Sequence, residues 1–473
     1  VAKVVDAIVI GSGPNGLAAA IVLARAGRKV IVLEAAPTLG GGLRSLPLTL
    51  PSFVHDVCSA IHPFAVVSPV FRTLPLSTHG LEWIEPPAMA AHPFDDGSAS
   101  VVYRSIDRTA AGLGRDGDAY RRLMDPIVTQ WPRLEDAVLG PLRVPRHPVA
   151  LARFGLRALR SAEGVARSAF ATAQARGMFA GLAAHSMLPL DRLLSGGVGL
   201  VLGAMAHVAG WVMPRRGAQS LADALASHLR SLGGEIHTSM PVESIDRLPP
   251  ARAILCDLSP KPLLRIAGHR FPPSYRRKLE RYRYGMGICK VDWALDAPIP
   301  WRNHGCTQAA TIHLGGTLEE IARSELDAWS GVHTERPYTL LVQPTLFDPS
   351  RAPAGKHVAW AYCHVPLGST VDMVPRIESQ IERFAPGFRD RILQRHVMLP
   401  ADVERHNANY VGGDIAAGAP DVRQFFNRPT WATYRTPVQG LFICSAATPP
   451  GVGVHGMCGY FAAQQALRSV LRD

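Results

Sequence analysis

An α/β fold, with a Rossmann-like dinucleotide-binding domain interrupted by an inserted α+β domain, is predicted by three stretches of this chain. The apolar run 4–10 ends in Gly11-Ser12-Gly13-Pro14-Asn15-Gly16. An Ala/Leu-rich stretch, 17–26, leads through Gly27 to a second apolar run, 30–33, that ends in Glu34. Far along the chain, the run 440–444 opens another glycine-rich turn, 445–456.

The first two stretches read as strand, glycine turn, helix, strand and terminal acid, the order and length of a βαβ nucleotide unit. Gly11 permits the tight exit from the strand. Gly13 lets a pyrophosphate approach the backbone, and Gly16 lets the helix pack closely on the sheet. Ser12, Pro14 and Asn15 complete the turn. The helix start then offers unpaired N–H groups and the positive end of its dipole. Glu34, followed by Ala35, can accept from a ribose diol, and its charge would repel a 2′-phosphate. Beyond it, Gly40-Gly41-Gly42-Leu43-Arg44 forms a second glycine cluster. Backbone can lie against a ligand there, and Arg44 can neutralise charge at a diphosphate. A simple nicotinamide dehydrogenase needs no such cluster.

On residues 8–45 the chain resembles the phytoene desaturase-like flavoproteins, a group that includes amine oxidases and retinol saturase. It is most similar to the subgroup called pyridine nucleotide-disulfide oxidoreductase domain-two proteins. The resemblance implies FAD as cofactor, supported by Gly41, Gly42 and Arg44. Disulfide chemistry is not expected: Cys58 stands by itself in the N-terminal region, and no C-x-x-C occurs. No second strand-linked glycine fingerprint is available for NAD(P)H.

The chain has 473 residues, 47% of them hydrophobic, enough for two domains with cores of their own. Seven cysteines without paired spacing predict free thiols in a reducing compartment such as the cytoplasm. No leader is expected before a first strand that starts near residue 4. The net charge is +12, yet the basic residues are dispersed, which argues against nucleic acid as a partner. Two readings stay open: a basic face that meets an anionic membrane, or plain arginine-rich usage. Residues 193–213 carry no charge. Their five glycines, Ser195 and His207 favour a buried pocket wall over a membrane span.

Five segments follow: 1–75, 211–284 and 430–473 for the FAD-binding domain, 76–210 (largely helical) and 285–429 for the substrate domain. Within 143–176, Ala, Arg and Phe recur at helical spacing and can present an apolar face to a channel or to lipid. Residues 219–232 read as a helix capped by Gly233-Gly234. Residues 235–238, 241–245 and 253–257 read as strands, as do 287–295, 338–343 and 357–364. The resemblance implies that Val242 contacts the FAD adenine through its backbone.

At the C-terminus, a helix from Met457 follows the second glycine turn. By the resemblance, Gly453, Val454 and His455 lie near the flavin edge, where the helix dipole stabilises negative charge. This turn departs from the family pattern, which has histidine where Pro449 stands. His455 is a candidate proton donor or substrate-positioning group, against a helix-capping role. Lys290 is the second catalytic candidate, with a surface lysine as the alternative. Alternation puts Lys290 and Asp292 on one strand face and Val291 and Trp293 on the other. No histidine spacing suggests a metal.

The resemblance implies hydride transfer at flavin N5 to or from a carbon of an apolar polyene, isoprenoid or long acyl chain, with desaturation, saturation or isomerisation as outcomes. Oxygen or a quinone would accept the electrons. An amine oxidase-like flavoprotein with an aromatic cage, or a non-catalytic FAD scaffold, stays open.

Overall fold

A computed structural model of the chain describes residues 5–472. Val4, the first residue of the predicted apolar run, lies outside them. The predicted α/β architecture is observed as two large sheets, beside two short two-stranded ones. The first is parallel throughout, in the order Leu441–Ile443, Ala251–Cys256, Val5–Ile10, Val30–Leu33, Glu235–His237. Its inner strands are covered on both faces, which is why they read as continuous apolar runs, whereas the edge strand Glu235–His237 is largely exposed. Ala7 and Val9 join Leu17, Leu221 and Ala462 from helices Pro14–Arg25, Gln219–Ser231 and Met457–Ser469. Ile8 and Ile10 join Leu263 and Ile266 of helix Pro260–Ala267 on the other side.

Helix Met457–Ser469 lies directly on helix Pro14–Arg25. A methyl on Gly459 would stand 1.8 Å from the Asn15 carbonyl oxygen, and one on Gly16 would stand 2.1 Å from that of Gly11. The two glycine turns that precede these helices are thereby drawn to one end of the sheet.

The second sheet is mixed, in the order Ile392–Met398, Gly287–Leu295, His357–Val365, Thr339–Val342, Ala309–Leu314, Ala88–Pro93, Ala99–Val102. One face packs Val291, Trp293, Leu341 and Ala361 against Ile377, Ile381 and Phe384 of helix Val374–Phe384. The opposite face meets a helical layer that includes Ala173–Ala184 and Ser195–Val208. The stretch 76–210 therefore supplies two strands of this sheet beside its helices.

The uncharged stretch 193–213 holds helix Ser195–Val208, preceded by Leu194 in a left-handed conformation (φ 77°). Its glycines admit neighbouring side chains: Gly199 touches Phe179 and Gly203 touches Met124. Among the described residues, no helix is long and apolar enough to cross a membrane.

One predicted strand does not form. Residues 241–244 join no ladder, and the chain runs on into the short 3-10 turn Ile245–Arg247. Just before them, Ser239 and Met240 donate to the carbonyls of Ala36 and Glu34. That contact turns the chain back across the sheet end. Pro241 then supplies no N–H for a ladder, and the Ser244 hydroxyl caps Asp246 instead.

Candidate active site

The carboxyl ends of the parallel strands carry Gly11, Glu34, Asp257 and Ser445 into one cleft, the place where open α/β sheets bind ligands. Gly11, Ser12, Gly13, Pro14, Asn15, Glu34, Ala35, Gly41, Gly42, Arg44, Val242, Gly453, Val454 and His455 all line it. Gly16 and Leu43 do not. Gly16 sits beneath the turn and donates its N–H to Asp257 Oδ2 at 3.0 Å. Leu43 is buried in the core of the first domain.

Asp257 is the functional residue that sequence reasoning missed. A methyl on Gly13 would lie 2.7 Å from its Oδ2. Burial pushes its carboxyl up to about 7, with the nearby Glu34 charge adding to the shift and the Gly16 N–H opposing it. The available signal was its position at the end of the predicted strand 253–257. Asn409 was missed as well. It ties the turn from behind, donating to the Asp257 carbonyl at 2.8 Å and accepting from Ser259 N–H at 2.7 Å.

Glu34 is committed more fully than its expected role requires. Its Oε2 accepts from Ser12 N–H (2.9 Å) and Ser12 Oγ (2.7 Å). Its Oε1 accepts from Ala36 N–H (2.9 Å) and Arg44 Nη2 (3.2 Å). A carboxylate offers about four acceptor positions, so a ribose hydroxyl reaches Glu34 by displacing one of these donors. Arg44, expected to neutralise a diphosphate, is likewise engaged. It also donates to the carbonyls of Thr38 and His406, so in this arrangement it braces the loop after Glu34. The second glycine cluster admits protein as well as ligand. A methyl on Gly42 would stand 2.3 Å from the Tyr410 hydroxyl, and one on Gly41 would stand 3.1 Å from Gly13 Cα.

His455 lines the cleft, but its Nδ1 accepts the Met457 N–H at 3.0 Å and so caps the last helix. Burial lowers its ring to about 4, despite the Gly451 and Val452 carbonyls that favour the cation. This hydrogen bond corresponds to the helix-capping alternative, and a neutral ring whose Nδ1 accepts carries its proton on Nε2. Val242 lines the cleft from the unpaired segment, and no strand presents it.

Lys290 is not a surface lysine. It is 1% exposed, its ammonium pairs with Asp292, and it lies 4.9 Å from the centre of the Trp360 ring. Alternation placed these side chains correctly, with Val291 and Trp293 on the opposite face. Its charge is spent on Asp292, and it does not line the cleft. Among the described residues, no group of three or more His, Cys, Asp or Glu is placed to hold a metal ion.

The cleft continues without interruption into a chamber, giving a cavity of about 1720 Å³ in all. Single ligand pockets usually hold about 300–1,000 Å³. The chamber wall is mainly apolar: Leu188, Val198, Val201, Leu202, Leu340 and Val342 are representative. Trp360 and Tyr362 also face it, with rings 6.1 Å apart and nearly parallel. Three histidines of the cavity wall are kept neutral by burial. Burial lowers His62 and His406 to about 4 and His185 to about 3.

Residues 9–74 match the family model described as NAD(P)-binding Rossmann-like domain. A rat protein named pyridine nucleotide-disulfide oxidoreductase domain-containing protein 2 is 26% identical, over 98% of this chain and 94% of its own. Phytoene dehydrogenase of Streptomyces griseus is 26% identical over 94% and 92% of the two chains. Cyclohexylamine oxidase from Brevibacterium oxydans shares the fold, with a TM-score of 0.63 at 17% identity and 98% coverage of both chains. The resemblance read from residues 8–45 is thereby borne out.

Proposed function

We propose that this chain, a relative of the phytoene dehydrogenase-like oxidoreductases, is an FAD-dependent enzyme acting on a carbon–carbon bond of an apolar substrate. A polyene, an isoprenoid or a long acyl chain is the substrate class. The reading covers desaturation, saturation or isomerisation, with oxygen or a quinone as acceptor for desaturation. One observation carries it: two glycine turns from opposite ends of the chain close on a single cleft that opens into an apolar chamber.

The cradle fits a dinucleotide. The N–H groups of Gly13 and Asn15 have no protein acceptor among the described residues, and they stand at a helix start that favours phosphate. Glu34 and Val242 flank the same cleft. When bound, FAD supplies two-electron redox chemistry at its ring system. The chain's own residues bind and enclose it. Gly11 and Gly13 keep the backbone bare, Asp257 holds the turn, and the helix starting at Met457 turns its positive end toward the cleft. The Leu- and Val-rich wall excludes water from the reacting centre.

The rim supports delivery of substrate from a lipid surface. Helix Pro148–Ala158 and the loop before it line the cavity, and they also expose Val144 (91%) and Leu156 (77%) to solvent. Arg143, Arg146, Arg153 and Arg157 belong to the same stretch of chain, Arg143 and Arg146 pairing with Asp136.

A second reading, amine oxidation, is favoured by the near-parallel Trp360 and Tyr362 rings. Anaerobic mixing separates the two. Purified protein is expected to be yellow and to release FAD on denaturation. Its colour should bleach with a long isoprenoid polyene and persist with alkylamines; bleaching by amines alone would overturn the carbon–carbon reading. Gly13→Leu is expected to be colourless, and full flavin content in that variant would remove the assigned phosphate turn.

A further inference from the structure

Arg44 is engaged by Glu34, so the positive charge expected beside a diphosphate has to come from elsewhere. Among the described residues, six arginines line the cavity. Besides Arg44, Arg143 and Arg146 pair with Asp136, and Arg405 pairs with Asp402. Arg133 is exposed and donates to Gln130. The sixth, Arg428, is 7% exposed and has no carboxylate partner among the described residues.

The donors of Arg428 end on backbone. Nε reaches the Ala446 carbonyl at 3.2 Å and Nη1 that of Gly418 at 3.4 Å. Nη2 reaches those of Ala416 and Ala417 at 2.8 and 3.3 Å. Four bonds to five N–H donors leave at least one N–H free, and carbonyls fix the guanidinium without cancelling its charge. Asp414 lies in the same loop, but its Oδ1 accepts from Ala416 N–H and its Oδ2 from those of Gly285 and Gly418. Burial pushes its carboxyl up from the ordinary value, against those N–H groups and Arg428, which weakens it as a counter-charge. A cation taken out of water without a matched anion is costly. An anion entering the cavity beside it relieves that cost.

Hydrogen bonds link Arg428 to the glycine cradle. Ala446 follows Ser445, whose Oγ donates to the Leu258 carbonyl at 2.9 Å. Leu258 follows Asp257, which bonds Gly16 and stands beneath Gly13. Asp257 and Arg428 also act on one thiol, that of Cys458 in the first turn of the last helix. Burial pushes this thiol up to about 12, Asp257 adds to the shift, and Arg428 opposes it.

We propose that Arg428 is the counter-charge of the FAD diphosphate, in the role that Arg44 was expected to fill. This rests on the reading of the cleft as an FAD site. The helix start at Gly13 supplies hydrogen bonds to the phosphates, and Arg428 supplies the full positive charge from a position fixed by the loop 416–418 and the second glycine turn.

The test follows release of FAD from the holoenzyme by flavin fluorescence on dilution. Displacement by ADP-ribose, which carries the same diphosphate, is compared with displacement by adenosine, which carries none. Arg428→Gln is expected to weaken FAD and ADP-ribose by about ten-fold or more and to leave adenosine within about two-fold. Arg428→Lys keeps the charge without the planar fork, and should recover most of the lost affinity. An arginine that only pins the loop to Ala446 would weaken all three ligands alike, and lysine, which cannot reach four carbonyls at once, would not rescue it. Unchanged FAD affinity in folded Arg428→Gln overturns the proposal, as does a loss shared equally by adenosine. Should the glutamine variant fail to fold, Arg428→Lys decides: retained FAD and ADP-ribose affinity supports the counter-charge, and folded protein that has lost both overturns it. Wild-type protein that holds neither FAD nor ADP-ribose overturns the FAD reading of the cleft, and the role of Arg428 with it.

Discussion

Asp257 concentrates the physics of the cleft in one side chain. Its carboxyl is pushed up to about 7 by burial, so between the ordinary value of 3.8 and about 7 the folded protein holds a proton that the unfolded chain has released. Its contribution to stability is fully present below 3.8 and is lost as pH rises through 7. An anionic diphosphate on the Gly13 turn meets the same gradient, because the ionised carboxylate beside it is repulsive. FAD affinity is therefore expected to fall several-fold from about pH 6 to about pH 8, measured by equilibrium titration of apoprotein. Asp257→Asn keeps an acceptor for the Gly16 N–H and removes the charge, so its profile should be flat. A flat wild-type profile, or a sloping one in the variant, would refute this role. The glycines of this turn were legible because each answers to a constraint within a few residues. Asp257 was not, because its partner Gly16 lies at the other end of the chain's first domain.

At the scale of elements, the contact between helices Pro14–Arg25 and Met457–Ser469 brings the two turns together. Gly459 allows it, since any side chain there meets backbone at Asn15. Gly459→Ala is expected to cost about 2–3 kcal/mol through overpacking and to reduce flavin retention, both read from denaturant unfolding and the absorbance of the purified protein. Wild-type stability in this variant would show that the helices cross elsewhere. Periodicity identified both helices, the strands of the parallel sheet and three of the seven strands of the mixed one (287–295, 339–342 and 357–365), because burial on one or two faces imprints alternation or continuous apolar runs. It failed at residues 241–245. There alternation was present, but Pro241, and the hydrogen bonds of Ser239 and Met240 to the loop after Glu34, leave the segment no ladder to join.

The whole molecule exposes apolar side chains, Val144, Val149 and Leu156, on a stretch that also lines the cavity. Sedimentation with vesicles should detect this. Binding is expected with anionic vesicles, weaker binding with neutral ones, and loss of much of the anionic component in high salt. Leu156→Asp combined with Val144→Asp should reduce vesicle binding by about ten-fold or more without changing flavin content; unchanged binding would remove this face from membrane contact. The net charge of +12 left this question open, since a total says nothing about where charges gather. The dinucleotide unit, by contrast, could be read from residue order, because its strand, turn, helix and acid constrain one another over about thirty residues. Two features waited for the folded chain: the burial that commits Lys290 to Asp292, and the engagement of Arg44 with Glu34 and the His406 carbonyl. Each depends on what the rest of the molecule packs around a locally legible pair. A strand's own alternation sets which face a side chain takes; its neighbours across the sheet are set by packing of the whole.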